Sequence, residues 1–373
     1  MHITARGILS PGQVGTHRAC VTFPSTTVLS DGSLLASCRV GSTKDSDDET
    51  LELRRSHDGG RTWSEPRTPF SSTLNGRHCS IKAGYITPLD DRRLILVALM
   101  VDRQAYPGQP LFNENTEGCL PMYVVLSNSD DLGETWSPWR VLPLPDSIGP
   151  PSLTSPILKL AGGRLAVSIE SNKPYLDTSK WYQHVAYAYS DDDGRTWGDA
   201  VTVCQDPTAR IFNWDQRAAV APGGEIVTFT WTYDREAQKY LNVHRRLSRD
   251  EGQTWSPPED LGFADQPSRP AILSDGRVVV AWVDRFGSRS IKARVAESLD
   301  APFPVETEVT LYQLEAPAKA AGEQSTGELL AEMGIWSFGL PFATALPDGD
   351  VLVTYYAGTK EELSSHWARL SLD

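Results

Sequence analysis

One eight-residue pattern occurs four times in this chain and constrains its fold more than any other feature. The first copy, 56–63, reads Ser-His-Asp-Gly-Gly-Arg-Thr-Trp, and its Ser, Asp, Gly, Thr and Trp recur at the same offsets in copies beginning at Ser129, Ser190 and Ser248. Short polar side chains that bond to nearby backbone, followed by glycine, are typical of a tight turn. We expect the tryptophan to anchor each turn by burial. The copies lie roughly 60 to 70 residues apart, which is the period of a propeller blade rather than of a helical repeat.

A second repeat, strand–turn–strand, lies between these boxes. It occurs six times, at residues 26–38, 84–100, 156–170, 218–231, 270–283 and 342–356. The second strands, such as 95–97 and 278–280, are continuous apolar runs, as expected of strands buried on both faces. Six hairpins predict an all-β chain that folds as a six-bladed β-propeller with four-stranded antiparallel blades.

The last of these blades is one strand short. Only the segment 367–372 follows its hairpin, whereas the segment 2–9 precedes the first hairpin and has no partner of its own. The sequence therefore predicts that the N-terminal strand joins the last blade, which closes the ring and removes an exposed sheet edge. Residues 1–373 are then one domain.

Composition excludes several classes of function. The net charge of −13 argues against nucleic acid and against an anionic membrane surface as partners. No apolar leader and no run of transmembrane length is present, so the chain as given is expected to be cytoplasmic, or secreted if a signal peptide was removed. Five cysteines without CxxC spacing indicate free, mostly buried thiols, and seven scattered histidines predict no metal and no other cofactor.

The predicted topology assigns each loop to one of two opposite faces of the propeller. In a four-stranded blade the box turns lie on one face, and the loops between second and third strands lie on the other, with the crossovers, around the mouth of the central channel. The long insertions 104–119, 173–181 and 312–333 all fall on that second face. The last of them contains a short predicted helix at 325–332, with Ser325 as its N-cap. Loops on a rigid scaffold commonly carry the binding site, and these insertions should narrow the mouth into a pocket.

Arginines converge on this face of an otherwise acidic protein. Because guanidinium groups match carboxylates bidentately and tryptophan rings stack on sugars, the pattern indicates a site for an acidic carbohydrate. The candidate substrate-binding residues are Arg18, Arg39, Arg77, His78, Trp214, Arg269, Arg285 and Trp336. A structural interpretation competes: the Asp-Arg pairs at 102–103, 234–235 and 284–285 can be braces between blades, and His78 can be a structural histidine.

The boxes, the six hairpins and the segments 34–39 and 51–56 together resemble the sialidase (neuraminidase) superfamily with its Asp-box repeats. The resemblance covers essentially the whole chain. It implies that Arg39 closes the second strand of the first blade as a substrate contact, and that Asp45 in the following loop is the catalytic acid/base. The neighbouring Asp47, Asp48 and Glu49 are expected to keep Asp45 protonated, because like charges raise the pKa of a carboxyl group.

Other positions depart from the sialidase pattern. Thr22 stands where sialidases carry the first arginine of a substrate-binding triad, and Trp231 and Thr232 stand where the second is expected. Arg269 matches the third. Leu340 replaces the tyrosine nucleophile, and the glutamate that assists this tyrosine corresponds to Asp215 or Gln216.

These residues favour a sialidase-like, exo-acting glycoside hydrolase that removes a terminal sugar other than ordinary sialic acid. Most glycosidases use two carboxyl groups, and Asp45 and Asp215 are expected to face each other across the mouth, with Glu170 as a third candidate. Loss of the tyrosine suits a substrate without a carboxylate at its anomeric carbon, either a uronic acid or a neutral sugar.

Two alternatives remain open at this stage. A uronate-specific polysaccharide lyase would use His78 or Tyr355 as its base and an arginine to neutralise the carboxylate. A non-catalytic carbohydrate-binding propeller would use the same face without turnover. All three hypotheses name a carbohydrate as the partner, and the sequence does not indicate an oligomeric state.

Overall fold

The computed structural model describes residues 1–315 and 326–373, and most of its regular structure is β-strand. The predicted all-β class is confirmed. The short helix α1 (Thr326–Glu332) forms within the predicted 325–332 segment, whereas its expected N-cap, Ser325, lies outside the described residues. Three single 3-10 turns cover Asp146–Ile148, Val305–Thr307 and Met333–Ile335. No helix in the described ranges has the length and hydropathy needed to cross a membrane.

The chain begins with strand β1 (His2–Ser10), and the later strands form six groups, I to VI, that are antiparallel within themselves. A parallel bridge between Cys20 and Leu363 joins groups I and VI into one sheet. Group I contains β2 (Cys20–Val28), β3 (Leu34–Gly41) and β4 (Thr50–Ser56). Group II contains β5 (Thr73–Leu74), β6 (Arg77–Pro88), β7 (Leu94–Asp102), β8 (Met122–Ser129) and β9 (Arg140–Val141). Group III contains β10 (Leu158–Lys159), β11 (Leu165–Glu170), β12 (His184–Ser190) and β13 (Val201–Gln205).

Group IV contains β14 (Ile211–Val220), β15 (Ile226–Asp234), β16 (Lys239–Tyr240), β17 (His244–Ser248) and β18 (Glu259–Asp260). Group V contains β19 (Gln266–Pro267), β20 (Ala271–Ile272), β21 (Val278–Asp284), β22 (Ser290–Ala296) and β23 (Val309–Gln313). Group VI contains β24 (Phe338–Ala345), β25 (Val351–Gly358) and β26 (Leu363–Ser371). Each of the six predicted hairpins is present, as the pairs β2–β3, β6–β7, β10–β11, β14–β15, β20–β21 and β24–β25.

The second strand of each hairpin is the most buried. β7 reads Leu-Ile-Leu-Val-Ala-Leu-Met-Val-Asp, and all nine of its residues are buried. Both faces of such a strand are covered, one by each neighbouring group, which explains why its sequence is continuously apolar rather than alternating. The five cysteines are buried and free, as the sequence predicts.

The N-terminal strand pairs with the C-terminal one. β1 runs antiparallel to β26, with His2 opposite Ser371 and Gly7 opposite Trp367. This is the pairing expected for the segments 2–9 and 367–372, and it gives group VI its fourth strand. The outer edge of β26 is therefore covered by the other end of the chain.

Hydrogen bonds also connect neighbouring groups near their first strands. In chain order they are Ser37 Oγ to Gly84 O (2.6 Å), Thr87 Oγ1 to Ile157 O (2.8 Å), Ser155 Oγ to Gln216 O (2.9 Å), Gln266 Nε2 to Asp215 Oδ2, Ala343 N to Arg269 O (3.2 Å), and Thr26 Oγ1 with Thr344 Oγ1 (2.7 Å). Each group thus contacts the next, and group VI contacts group I.

The four boxes make the same set of hydrogen bonds. In the second copy, Asp131 Oδ1 accepts from Ser129 Oγ (2.8 Å) and from Thr135 N (2.8 Å), and Asp131 Oδ2 accepts from Thr135 Oγ1 (2.6 Å). Trp136 Nε1 donates to Gly133 O at 3.2 Å. The tryptophans of all four copies are only half-buried, because each ring lies across its own turn near the surface. The expectation that they are buried anchors is therefore corrected: the carboxylate hydrogen bonds hold the turn at least as much as the ring does.

Candidate active site

A cavity of about 230 Å³ opens among the loops that follow the second strands. The loop 42–49 after β3 supplies Lys44 and Asp45, and the insertion 104–119 supplies Leu111 and Phe112. Leu330, Met333 and Trp336 reach it from the crossover between groups V and VI. No box residue lines it. The cavity thus occupies the loop face that the sequence singles out.

Glu170 and Asp215 form a carboxyl pair in this cavity. Glu170 ends β11, is 5% exposed, and its Oε1 accepts hydrogen bonds from Thr154 Oγ1 (2.7 Å) and Gln216 N (3.1 Å). Burial, and after it the charge of the neighbouring Asp215, raises the pKa of Glu170 to about 7. A carboxyl group with such a pKa is protonated in about half of the molecules at pH 7 and can give up that proton in a reaction.

Asp215 reaches the cavity from a bulge in β14. The register of β14 against β15 shifts between Trp214 and Arg217, and Asp215 has φ 47° in the left-handed region. Such bulges re-aim side chains next to functional sites. Gln266 Nε2 donates to Asp215 Oδ2, and Arg217 Nη2 lies 3.5 Å from Oδ1. These contacts hold the carboxylate of Asp215 beside Glu170.

Asp45 also lines the cavity, but its charge state is the opposite of the expected one. Its Oδ1 accepts from Lys82 Nζ (2.5 Å) and Arg103 Nη2 (2.7 Å), and its Oδ2 accepts from Leu111 N (3.1 Å). Burial alone would raise the pKa of Asp45, but the two cations outweigh burial and hold it well below its usual range. Asp45 is therefore ionised and has no proton to donate, which corrects the expectation that acidic neighbours keep it protonated.

Arg39 lines the cavity, and hydrogen bonds and an ion pair hold its side chain in place. Its guanidinium is 3% exposed, lies 3.5 Å from Glu49 Oε1, and donates to Thr22 Oγ1 and to Lys44 O, both at 3.0 Å. Thr22, which stands where sialidases carry an arginine, thus positions the arginine opposite it. Phe23 covers the Arg39 guanidinium with its ring, 4.1 Å from centroid to Cζ.

Lys44 lines the cavity and Arg285 lies behind its wall, and the side-chain nitrogens of both have no carboxylate oxygen within 4.0 Å among the described residues. Lys44 Nζ donates to Met333 O (2.7 Å), Tyr356 Oη (2.8 Å) and Trp336 O (2.9 Å). Burial foremost, and the nearby arginines after it, lowers the pKa of Lys44 well below its ordinary value. A bound anion would favour the charged form of this lysine.

Arg285 lies under the ring of Trp336, with Cζ 3.9 Å from the ring centroid. It donates to Phe338 O (2.8 Å) and Gln266 Oε1 (3.1 Å), and its buried Nε has no partner among the described residues. The nearest acidic group is Asp265, whose pKa burial raises to about 7, so that it offsets the arginine charge only in part.

Two predicted tryptophans lie at the cavity, in different roles. Trp336 is partly exposed and covers Arg285, whereas Trp214 is 6% exposed and stacks on Tyr233 with centroids 5.1 Å apart. Trp214 belongs to an aromatic cluster with Phe212 and Trp231. Its ring forms the floor rather than a free stacking surface.

Six predicted site residues do not line this cavity: Arg285, which lies behind Trp336, and five that lie away from it. Arg18 pairs with the buried Glu52, and Arg77 pairs with Asp102 at 2.7 Å. His78 Nε2 contacts Asp47 O at 2.9 Å on the outside. Arg269 lines a second cavity, described below. Tyr355 is buried between groups V and VI. The structure therefore corrects the placement of Arg18, Arg77, His78, Arg269 and Tyr355.

The placement of Tyr355 illustrates why sequence position alone misleads. Successive residues of a strand point to opposite faces. Tyr355 stacks on His366 and its hydroxyl lies 3.4 Å from Leu311 O, while Tyr356, one residue later, lines the cavity. Burial raises the pKa of Tyr356 to about 12, so this hydroxyl is protonated.

Among the polar residues of the cavity that sequence reasoning missed are Lys44, Lys82 and Gln266. Lys82 offered a signal, because it interrupts an apolar strand between Ile81 and Ala83. A lysine inside a buried strand requires a charged partner. Its partners, Asp45 and Glu49, come from another group, and their distance along the chain hides the connection.

Comparisons with known proteins reveal the fold. No family model matches the chain, and no curated protein matches it. Among solved structures, a protein of unknown function from Dyadobacter fermentans matches with a TM-score of 0.73 and 20% identity, over 100% of both chains. An intramolecular trans-sialidase from Ruminococcus gnavus, in complex with oseltamivir carboxylate, matches with a TM-score of 0.65 and 16% identity, over 98% of this chain and 97% of its own.

A leech intramolecular trans-sialidase, complexed with 2,7-anhydro-Neu5Ac, matches with a TM-score of 0.64 and 15% identity, over 99% of this chain and 70% of its own. These similarities show that the chain has the fold of the sialidase superfamily, as the resemblance in its sequence implies. At these identities they describe the fold alone.

Proposed function

We propose that this chain, with its sialidase fold, is an exo-acting glycoside hydrolase that removes a terminal acidic sugar from a glycan. In this proposal groups I to VI are the blades of one six-bladed propeller covering residues 1–373, closed by β1, with Asp boxes as the turns of the opposite face. The cavity is the mouth of its central channel.

The pair of Glu170 and Asp215 carries the proposal. Glu170, with its pKa raised to about 7, is the group that protonates the leaving oxygen. Asp215, held by Arg217 and Gln266, supplies the second carboxylate, either as the nucleophile or as the base for water. With Asp215 as nucleophile, Glu170 recovers its proton from the water that releases the sugar; with Asp215 as base, that proton goes to Asp215 and then to solvent, and Glu170 is reprotonated from solvent.

The remaining charges support an oxocarbenium-like transition state. Asp45 is kept ionised by Lys82 and Arg103, so its carboxylate can stabilise positive charge that develops on the sugar ring. This role replaces the acid/base role that the sialidase resemblance implies for Asp45. Leu340 lines the cavity at the position of the sialidase tyrosine and offers no nucleophile.

An acidic substrate is supported by the two cations that lack carboxylate partners. Lys44 lines the cavity beside Tyr356, and Arg285 lies behind its wall against the ring of Trp336. A sugar carboxylate bound there would satisfy the buried Nε of Arg285 and offset the charge of both groups.

The size of the cavity supports exo-cleavage. Its volume of about 230 Å³ lies below the range of roughly 300–1,000 Å³ that is usual for drug-sized ligands. Leu111, Phe112 and Met333 from the long insertions line it. Such a cavity suits one terminal residue better than the interior of a polymer.

A panel of chromogenic glycosides tests the proposal, with α- and β-uronides, neutral hexosides and an α-sialoside. We expect turnover of an acidic glycoside by the wild type, and a loss of about 10²–10⁴-fold in kcat for Glu170→Gln. Substrates with good leaving groups should lose less, because they need little protonation. Proton NMR of the first product anomer distinguishes a nucleophilic Asp215 from a basic one.

Three outcomes would contradict the proposal. Binding without turnover of any glycoside would favour a carbohydrate-binding protein. An unsaturated product would favour a lyase. Full activity of both Glu170→Gln and Asp215→Asn would show that the carboxyl pair is not the catalytic centre.

A further inference from the structure

A second cavity, of about 370 Å³, lies among the first strands of all six groups. It shares no lining residue with the cavity that contains Glu170. Threonines, prolines and aliphatic side chains form most of its wall, with two cations, Arg269 and Lys159. Its described lining contains no aspartate and no glutamate. The side chains of this cavity are positively charged, whereas the whole chain has a net charge of −13.

Arg269 is the most unusual residue of this wall. Its Nη1 makes only two long contacts, with Ala343 O at 3.3 Å and Pro270 O at 3.5 Å. Its Nε is buried and has no partner among the described residues, and no carboxylate oxygen of those residues lies within 4.0 Å of the guanidinium. The guanidinium instead faces the ring of Phe342, with Cζ 5.5 Å from the centroid.

Most of the buried arginines of this protein are paired with a carboxylate, and Arg285 is the exception described above. Arg245 bonds to Glu259 at 2.7 Å, Arg369 bonds to Asp350 at 2.6 Å, and Arg217 lies 3.5 Å from Asp215. A buried charge without a partner is costly, and proteins normally pair it. Burial lowers the pKa of Arg269 to about 10, which still leaves the group charged at neutral pH. A bound anion would therefore stabilise the charged guanidinium of Arg269.

Lys159 adds a second cation at this cavity. Its Nζ donates to Leu89 O at 2.5 Å and has no carboxylate oxygen within 4.0 Å among the described residues. It is exposed, so an anion can approach it from solvent. Together the two side chains supply two positive charges and several unused N–H donors to one volume.

We propose that this cavity binds a small oxyanion through Arg269. The planar guanidinium fork matches two oxygens of a phosphate, sulfate or carboxylate group, and charge-assisted bonds of this kind are about twice as strong as neutral ones. The bound oxyanion neutralises Arg269, satisfies its Nε, and connects the first strands around it. Because the site lies outside the carboxyl-pair cavity, it is independent of the proposed hydrolase activity.

Isothermal titration calorimetry with inorganic phosphate, at constant ionic strength in chloride, tests the site. We expect saturable binding to the wild type, at least tenfold weaker binding to Arg269→Gln, and unchanged binding to Arg249→Gln, whose side chain is 67% exposed. Phosphate should also raise the Tm of the wild type in a saturable manner and leave that of Arg269→Gln unchanged. Acetate and sulfate titrations then identify whether planar or tetrahedral oxyanions bind more tightly.

A second variant covers the case in which Arg269→Gln does not fold. Thr27 lines the same cavity, and Thr27→Asp adds a carboxylate to the cavity wall that should repel phosphate and weaken its binding at least tenfold. No saturable binding to the wild type, or equal binding to the wild type and to both variants, would overturn the proposal.

Discussion

Lys82 Nζ lies 2.5 Å from Asp45 Oδ1 and 2.9 Å from Glu49, so one buried ammonium group connects the loop after β3 to the strand β6. Lys82 is 5% exposed and Glu49 is fully buried. The contact decides the ionisation of Asp45, because a nearby cation favours the charged form of a carboxyl group. It also holds the loop that carries both Lys44 and Asp45 against the cavity.

We therefore predict that Lys82→Met lowers the free energy of unfolding at pH 7 by about 3–5 kcal/mol, the usual cost of breaking a buried ion pair. The pKa of Asp45 is depressed in the folded state, so its contribution is present above its unfolded pKa and is lost as the pH falls through the folded one. The loss of unfolding free energy in Lys82→Met should therefore become smaller below about pH 4. Urea unfolding at pH 7 and pH 3 measures this, with the exposed Lys180→Met as control; an equal penalty at both pH values would contradict it.

Glu170→Gln should have the opposite effect on stability. The folded pKa of Glu170, about 7, lies above the unfolded value, so folding takes up a proton between the two and wild-type stability falls as the pH rises from about 4.5 to 7. Glutamine keeps an acceptor for Thr154 and Gln216 N but carries no charge. We expect the variant to gain on the order of 1–3 kcal/mol at pH 8 and nothing near pH 4.

Urea unfolding at the two pH values checks the Glu170 prediction, with the exposed Glu361→Gln as matched control. Wild-type kcat should fall above about pH 7, as the acid loses its proton. If the variant were less stable than the wild type at pH 8, ionisation of the Glu170 carboxyl group would not be what destabilises the folded state at that pH.

The pairing of β1 with β26 can be tested at one glycine. A Cβ on Gly7 would lie 2.8 Å from Trp367 Cζ2, and Trp367 is 5% exposed. Gly7→Val should therefore cost about 1–3 kcal/mol through overpacking, whereas Arg6→Val, on the exposed face of the same strand, should cost little. Deletion of residues 1–9 should lower the Tm further, because it exposes the edge of β26. Calorimetry measures all three; an unchanged Tm in the deletion variant would contradict the structural role of β1.

The box turns offer a matched pair of adjacent aspartates. Asp131→Ala removes the acceptor of three hydrogen bonds and should cost about 1–3 kcal/mol, whereas Asp130→Ala, at an exposed position, should stay within about 0.5 kcal/mol. The Thr135 hydroxyl foremost, with the Thr135 backbone N–H, lowers the pKa of Asp131 to about 2, so its contribution should disappear between about pH 4 and pH 2. Because no box residue lines the cavity, kcat per folded molecule should not change.

Much of the fold was readable from local patterns. The box offsets, the six hairpins and the apolar second strands each depend on residues close in sequence, and the all-β class follows from them. The pairing of the chain ends was also predictable, because an unpaired strand at one end matched a missing strand at the other. The loop face was predictable for the same reason, since strand order alone assigns loops to faces. Asp45, Glu170 and Asp215 were placed in the cavity region by that argument.

The charge states and the partners within the cavity were decided by tertiary structure. Lys82 and Asp45 are 37 positions apart, and Glu170 and Gln216 are 46 apart, so spacing along the chain carries no information about either contact. Whether Tyr355 or Tyr356 faces the cavity depends on the pleat of one strand. Whether Arg269 lines the first cavity or the second depends on how group V packs against its neighbours. Local sequence determined the strands and turns because their hydrogen bonds are short-range. Ionisation depends on burial and on charges brought together from different groups, and only the folded chain sets both.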